Sequence, residues 1–394
     1  MRTAATIGAL GAAQTLAWAS SYYLPAVLAA PMARDVGVST PTVFAAFSAA
    51  LLLSAALGPH AGAAIDRWGG RPVLIATNLV FATGLLALGL AQGPWGLFAA
   101  WAILGIGMGS GLYEAAFAAL VRLYGADSRS AITGITLIAG FASTVGWPLS
   151  ALLEAHIGWR GACFSWAALH LVVGIPLNAL LPHASPLTAG RASAAASTNV
   201  ASAESNRPAV LLAIVFAATW FVSTAMATHL PQLLQASGAT LGVAVAVGAL
   251  VGPAQVAGRL LEFGVLRHLH PLISARLAAS LHPLGAAVLF SVGGPAAAVF
   301  ALLHGAGNGI LTIAKGTLTL VLFGPQGYGQ RQGWLMVPAR IAQALAPWLF
   351  GIVLDGWGRR AVWLSAGVGL LAFAALLLLR VESEPASRTE TAPT

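Results

Sequence analysis

The chain has 394 residues, of which 58% are hydrophobic and only 8% are charged, and it contains 45 glycines. Soluble globular proteins carry about 25% charged residues, so this composition excludes that class and predicts a polytopic membrane protein. The net charge of +8 does not indicate nucleic-acid binding, because most arginines fall in short loops, where basic residues orient membrane helices. The single cysteine, Cys163, excludes an internal disulfide and a thiolate metal cluster.

Apolar runs long enough to span a bilayer as helices, about 20 residues each, recur twelve times along the chain. We therefore predict an all-α membrane protein with twelve transmembrane helices. The predicted spans are residues 5–31, 41–64, 71–92, 95–123, 131–154, 161–182, 208–234, 240–265, 271–292, 295–322, 331–354 and 360–380.

A polar stretch divides the spans into two sets of six. Residues 183–207 are rich in Ala, Ser and Thr and have few large apolar side chains, which predicts a flexible linker. We expect an N-terminal six-helix bundle over 1–182, a cytoplasmic linker over 183–207, a C-terminal bundle over 208–380 and a cytoplasmic tail over 381–394. Twelve basic residues lie on one side and four on the other, which places both termini in the cytoplasm.

The source and the assembly are also predicted from composition. Arginine far outnumbers lysine and alanine is abundant, which favours a GC-rich bacterial genome and hence a multi-pass protein of the bacterial cytoplasmic (inner) membrane. We expect a monomer in the lipid bilayer, and no nucleic-acid partner.

The two sets of spans repeat at a fixed offset, as parallel repeats about an axis along the membrane normal do. Three glycines of the fourth span recur 200 residues later in the tenth. These are Gly105, Gly107 and Gly109, matched by Gly305, Gly307 and Gly309. The repetition predicts a solute site between the two bundles near mid-membrane.

A charged, glycine-bearing turn separates the second and third spans. Its pattern, G-x-x-x-D-R-x-G-x-R, is similar to the loop between the second and third helices of the major facilitator superfamily. The resemblance implies two pseudo-symmetric six-helix bundles that alternate access to a central site, with this turn as a conformational latch. We expect Asp66 and Arg67 to pair across the helix end. The latch residues are Gly62, Asp66, Arg67, Gly69 and Arg71.

After the charges assigned to loops are set aside, we count four ionisable side chains inside the spans, where a charge costs about 2.5 to 3.5 kcal/mol on insertion scales. Such residues normally face a wet cavity or one another. Their charges sum to plus two, which favours an anionic solute over a cationic one. They are Glu114, Arg259, Lys315 and Arg340.

Arg259 lies in the eighth span, about 9 Å inside its cytoplasmic end. Its planar guanidinium can bind a carboxylate bidentately, or its side chain can snorkel to the interface. Four features of the chain resemble the monocarboxylate porter branch of the superfamily: Tyr22-Tyr23-Leu24-Pro25, Gly58-Pro59, Arg71-Pro72-Val73, and Arg259 followed by Gly264.

That resemblance implies that Arg259 binds the carboxylate of the substrate. In the same branch an acid four residues earlier carries the coupled proton, but here Gln255 occupies that position, so the coupling role has no residue there. Tyr22 and Tyr23 can line the cavity or anchor a span end at the interface.

Further candidates come from the other polar residues in the spans. Glu114 and Lys315 occupy equivalent helices under the offset of 200, so we expect them to face each other, as a coupling pair or as a static one. Arg340 is either a second anion contact or the partner of Glu114. His304 and Asn308 lie one turn apart, and His229 lies on the seventh span; a membrane histidine either packs by hydrogen bonding or carries a proton.

The chain has no phosphate-binding loop, zinc spacing or nucleophile turn, so we expect neither an enzyme nor a cofactor. The predicted function is secondary active transport of a small organic anion, such as a monocarboxylate, driven by the proton gradient. The alternative is a proton-driven efflux antiporter for drugs or toxic inorganic species.

Overall fold

The computed structural model describes residues 3–183 and 206–379. All regular secondary structure in those two ranges is helical, because a backbone surrounded by lipid has to satisfy its hydrogen bonds internally. Eight helical stretches in the described residues are long and apolar enough to cross a membrane, and two of them, Gly93–Ala179 and Tyr328–Leu378, contain more than one predicted span. The prediction of an all-α membrane protein is confirmed.

The helices of the first half follow the predicted spans. Gly158 has a positive φ of 71° and divides α8 into two arms, and a π-helical segment, His170–Gly174, joins α8 to α9. The helices are α1 Thr3–Ser20, α2 Leu24–Val36, α3 Thr40–Trp68, α4 Gly70–Leu90, α5 Gly93–Gly111, α6 Tyr113–Tyr124, α7 Arg129–Ala139, α8 Ala142–Leu169 and α9 Ile175–Ala179.

The second half repeats this arrangement with similar interruptions in the middle of spans. Its helices are α10 Arg207–Ala236, α11 Leu241–Gly248, α12 Val251–Gly264, α13 Pro271–Val292, α14 Ala297–Phe323, α15 Tyr328–Trp357 and α16 Val362–Leu378.

The first predicted span is broken in its middle, between α1 and α2. The hydroxyls of Ser20 and Ser21 donate to the carbonyls of Leu16 and Ala17, and Pro25 enters at the first turn of α2 without a backbone N–H. The break therefore follows from local side-chain chemistry, and it places two tyrosines at mid-span.

The repeated glycines lie at the contact between equivalent pairs of helices in the two halves. A Cβ at Gly105 or Gly109 of α5 would overlap the α3 backbone, at Ala50 and Ser54. In the second half, Gly305 and Gly309 of α14 lie equally close to the backbone of α12. The glycines that recur at an offset of 200 residues thus mark the same close approach of helices in each half.

The two halves meet mainly through one side of the molecule. Helix α15 packs along α3 and α6, and α7 packs against α12 and α14. The side of the molecule that carries the turn between α3 and α4 and the start of α15 is called the latch side. At the opposite side, α2 packs on α3, α5 and α8, and α11 packs on α10 and α14, all within their own halves.

Candidate functional site

A chain of polar contacts crosses between the halves at the middle of the interface. Arg340 donates from Nη2 to Glu114 Oε2 at 2.8 Å and from Nη1 to Gln343 Oε1 at 2.9 Å. The amide of Gln343 donates to the Tyr22 hydroxyl at 3.0 Å. Since Arg340 and Gln343 lie on α15 while Glu114 and Tyr22 belong to the first half, the chain joins the halves twice.

Helix breaks position the first-half members of this chain. Glu114 lies in the first turn of α6, directly after Leu112 interrupts the fourth span in an extended conformation. Tyr22 lies in the break between α1 and α2. Of the two roles left open for Arg340, the structure shows it as the partner of Glu114, so these two charges neutralise each other.

Lys315 projects from α14 onto an aromatic ring. Its Nζ lies 4.2 Å from the ring centroid of Trp220, within the range of a cation–π interaction. The side chain is buried, and no carboxylate among the described residues lies within ion-pair distance of it. Glu114 interacts with Lys315 electrostatically, but it pairs directly with Arg340, which can donate two nitrogens in a planar fork.

Arg259 reaches from α12 across to the first half. Its side chain is only 5% exposed, and its Nη1 lies against Gly140 at the end of α7, where a larger residue would overlap the guanidinium. Neither Nε nor Nη1 has a hydrogen-bond partner. Its charge interacts electrostatically with Tyr23, Tyr113 and Lys315. The guanidinium is therefore buried at the interface with unused donors, rather than snorkelling.

A cluster of aromatic rings packs beside these cations. Trp18 of α1 packs against Tyr113 with ring centroids 4.8 Å apart and lies parallel to Trp220 of α10 at 6.4 Å. Tyr22 and Tyr23 complete the cluster around Trp18. Both indole N–H groups are buried without hydrogen-bond partners, so this wall offers donors as well as apolar surface.

The charges of the site do not cancel. Glu114 and Arg340 form one neutral pair, whereas Arg259 and Lys315 remain without a carboxylate in the described part of the chain. A low-dielectric site with two unpaired cations and several unused donors favours an anion with acceptor oxygens.

The three other predicted binding residues all belong to the second half. The backbone of Gln255 packs on Gly309. The ring of His229 lies within hydrogen-bond distance of Gln232 Oε1 and the Pro347 carbonyl, at 2.9 and 2.8 Å. Asn308 lines a separate cavity inside the second half, together with His304.

The predicted latch brings Gly62 and Asp66 to the interface. Gly62 and Gly329 lie in backbone contact, with no room for a Cβ on either. Both oxygens of Asp66 accept from backbone N–H groups at the start of α15, from Gly329 and Gln330, each at 2.9 Å. An acid is favourable at a helix N-terminus, so Asp66 engages the other half instead of Arg67.

The remaining latch residues stay within the first half. Gly69 takes a positive φ of 84° between α3 and α4, a conformation that a side chain disfavours. Arg67 lies over the Trp68 ring, and Arg71 is 3.0 Å from the His183 ring nitrogen.

A second latch-side contact is absent from the predicted sites. Arg129 of α7 donates to Glu262 of α12 at 2.9 Å and to the Leu269 carbonyl at 3.1 Å. Glu262 is not among the four predicted intramembrane charges, although it falls inside the eighth predicted span three residues after Arg259. The positions of Glu262 and of the polar Gln343 inside spans were usable signals. Trp18 stands beside Tyr22 and Tyr23 in the first span, a group that the sequence offers as cavity-lining rings, whereas Trp220 had no comparable signal.

Comparisons with known proteins match this chain to one family and to two relatives. A family model described as Major Facilitator Superfamily matches residues 10–314. The chain is 24% identical over 380 residues to the gentisate transporter of Corynebacterium glutamicum, covering 89% of this chain and 82% of that protein. It is 26% identical over 354 residues to an uncharacterized 38 kDa protein in a 23S RNA operon of Thermoproteus tenax, covering 89% of both.

Two solved structures share the fold. The human organic anion transporter MFSD10 (TETRAN) superposes with a TM-score of 0.71 at 17% identity, over 95% of this chain and all of that one. The transporter FucP in its outward conformation superposes with a TM-score of 0.73 at 14% identity, over 94% of this chain and 97% of that one.

Proposed function

The chain belongs to the Major Facilitator Superfamily, and from this premise we propose that it carries a small organic anion, such as a monocarboxylate, between its two halves. The protein is a multi-pass membrane transporter of a small solute and is not an enzyme. The anion class and the driving force go beyond that shared function.

The observation that carries the proposal is the pair of buried cations without counter-ions. Arg259 and Lys315 lie 5% and 6% exposed, and a buried charge without a partner is strongly unfavourable. A carboxylate bound by the free edge of Arg259 would offset that cost, and a guanidinium suits a planar carboxylate better than a cationic or neutral solute.

The aromatic wall favours an anion with an organic body. Trp18, Trp220 and Tyr113 provide apolar faces beside the two cations, and ring faces stabilise apolar or aromatic groups. The relatives known as a gentisate transporter and an organic anion transporter agree with this class.

The transport cycle alternates the side from which the site is reached. The latch side is proposed to face the cytoplasm of a bacterial inner membrane, so the sealed side is the inner one and the site opens outward. FucP in its outward conformation has a similar fold. We propose a monomer that rocks its two halves, with the proton gradient as the driving force and Glu114, Lys315 and His304 as the candidates for coupling and gating.

Uptake into proteoliposomes tests the anion class. We expect saturable uptake of labelled gentisate, inhibited by benzoate or lactate and not by choline, with protein-free liposomes as the blank. Arg259→Ala should reduce uptake at least 100-fold and Lys315→Met at least tenfold. The matched control is Arg276→Lys, because Arg276 bonds to the carbonyls of Leu376 and Leu379 within the second half.

The competing efflux function predicts a different result. Cells that express the chain would resist drugs or toxic inorganic ions, and organic acids would neither be transported nor compete. Uptake that is unchanged in Arg259→Ala would equally overturn the anion site.

A further inference from the structure

A cavity with a few polar groups in its lining lies inside the C-terminal half, on the far side of Leu311 from Lys315. It is lined by α10, α13, α14 and α16 and leaves about 30 Å³ for the centres of water-sized molecules, which is room for about one or two waters. Most of its lining is small or apolar, whereas the polar lining consists of Thr219, Ser223, His282, His304 and Asn308. A cavity with polar walls can hold water.

Two histidines contact each other in this wall. Nδ1 of His282 lies 3.0 Å from Nδ1 of His304, so one ring donates to the other. Both side chains are more than nine-tenths buried, and Nε2 of His282 has no hydrogen-bond partner. The pair is therefore an unsaturated hydrogen-bonding group beside a cavity.

The first half contains a histidine in the opposite condition. His170 is fully buried, and its Nδ1 lies 2.8 Å from Asn78 Oδ1 while its Nε2 lies 2.7 Å from Ser20 Oγ. Both of its nitrogens have partners, as buried polar groups normally do. His170 is explained by packing alone, whereas the pair in the second half is not.

The cavity lies next to the anion site along α14. His304, Asn308, Leu311 and Lys315 follow one another at intervals of four, three and four residues, and so share one face of the helix. On α10, Thr219 lines the cavity and its neighbour Trp220 contacts Lys315.

We propose that the His282–His304 pair binds the proton that is transported together with the anion, with the adjacent cavity giving it access to water. An added proton converts one ring to imidazolium, which donates to the other ring in a charge-assisted hydrogen bond. The proton enters from the outer solution and forms an N–H bond on one ring; that bond breaks when the proton leaves to the cytoplasm, and no other bond changes. This inference rests on the proposed function, since it names the coupling site of that transporter.

Proton and anion favour each other's binding in this arrangement. A positive charge on the pair adds to the field of Lys315 and Arg259 that attracts the anion, and linkage makes the effect reciprocal. Within the described residues, the cavity lining contributed by α10 and α16 has no titratable or charged side chain, and the only such groups from α13 and α14 are the two histidines. No neighbouring carboxylate therefore competes for the proton.

Transport in two modes tests the coupling. In proteoliposomes with an imposed proton gradient, His282→Gln and His304→Gln should accumulate labelled gentisate at least tenfold less than the wild-type chain, while gentisate counterflow persists. The matched control is His170→Gln, which should keep the wild-type ratio of accumulation to counterflow. Equal loss of both modes in the pair variants would indicate a structural role and overturn the proposal, as would unchanged accumulation.

A measurement without substrate separates this inference from the proposed function. Histidine-selective ¹⁵N NMR of the full chain in nanodiscs should show His282 and His304 titrating together between about pH 5 and 8, and His282→Gln should abolish that step at His304. If neither ring titrates in this range, the proton site is wrong whatever the protein transports. If the pair titrates but no organic acid is carried, the anion class fails alone.

Discussion

The two sides of the interface between the halves are built differently. On the latch side the backbones of Gly62 and Gly329 touch, Asp66 accepts from the start of α15, and Arg129 pairs with the buried Glu262. On the opposite side, the ion pair between Arg160 and Asp35 lies within the first half, and its side chains are 35% and 50% exposed.

This difference indicates which side of the interface between the halves is closed. Close backbone approach and buried polar contacts hold one side shut, while α2 and α11 on the other side pack only within their own halves to any appreciable extent. In the proposed transport cycle, a solute reaches Arg259 and Lys315 from the side without these contacts. Opening the latch side requires that all three of its contacts be lost together, so each should bias the equilibrium between the two states.

The largest effect is expected at the glycine contact. Gly62→Leu inserts a side chain where the Gly329 backbone lies, and helices that rely on small residues for contact cannot approach otherwise. We expect the latch side to open in most molecules, seen as a longer spin-label distance between Trp68→Cys and Arg267→Cys in a Cys163→Ser background.

A glycine in open space provides the control for this change. Nothing lies within 4 Å of a Cβ placed at Gly8, so Gly8→Ala should leave the distance distribution unchanged. If Gly62→Leu also leaves it unchanged, the close approach does not hold the latch side shut.

An intermediate effect is expected at Glu262. Breaking a buried ion pair costs about 3 to 5 kcal/mol, and Arg129 remains 24% exposed while Glu262 is 4% exposed, so we expect Glu262→Gln to shift the equilibrium by about 2 to 3 kcal/mol. The same spin-label pair measures the shift. The matched control is Asp35→Asn, whose exposed pair with Arg160 should contribute less than about 1 kcal/mol and leave the latch side shut; equal responses would remove the distinction between the two sides.

The sequence predicts the fold well because lipid leaves few alternatives. An apolar run of sufficient length has to be helical, and helix ends fall at the predicted loops, as for α4, α13 and α14. The breaks inside spans were not predicted, because they depend on hydroxyls such as Ser20 and Ser21 that bond back to the chain. A hydropathy profile does not detect hydrogen bonds from side-chain hydroxyls to backbone carbonyls.

The sequence identifies the four charges of the candidate site but leaves their pairing open. Arg259, Lys315, Glu114 and Arg340 can be recognised because charges are rare in spans, yet which of them pair depends on rotamers and on the approach of α6 to α15. Glu114 contacts Arg340 because their helices meet, and no spacing in the sequence encodes that contact. The indole N–H groups of Trp18 and Trp220 likewise become informative only when their lack of partners is seen.

The smallest effect concerns a latch-side turn that supports the Arg129 contact. His270, next to Leu269, caps α13 by accepting from the Leu272 N–H at Nδ1, 3.2 Å away. Burial, together with the nearby charges of Arg129 and Arg276, lowers the pKa of His270 below its usual 6.5. The folded chain thus favours the neutral ring, which alone can accept at Nδ1, and its contribution to stability is present above pH 6.5 and lost as the pH falls through the lowered pKa.

Acidification should therefore weaken the latch side slightly. Between pH 7.5 and 5, we expect the wild-type chain to lose about 0.5 kcal/mol more folding stability than the His270→Asn variant loses. This value is the low end of the contribution of a helix cap, and thermal unfolding measures it. Asparagine can cap the helix without titrating, so the variant should lack this part of the pH dependence. The control is His60→Asn, on an exposed face of α3, and this variant should keep the pH dependence of the wild-type chain. If His270→Asn follows the wild-type curve down to pH 5, the cap does not titrate, and the pH response of the latch side is then assigned to Asp66, whose pKa burial raises above its usual value.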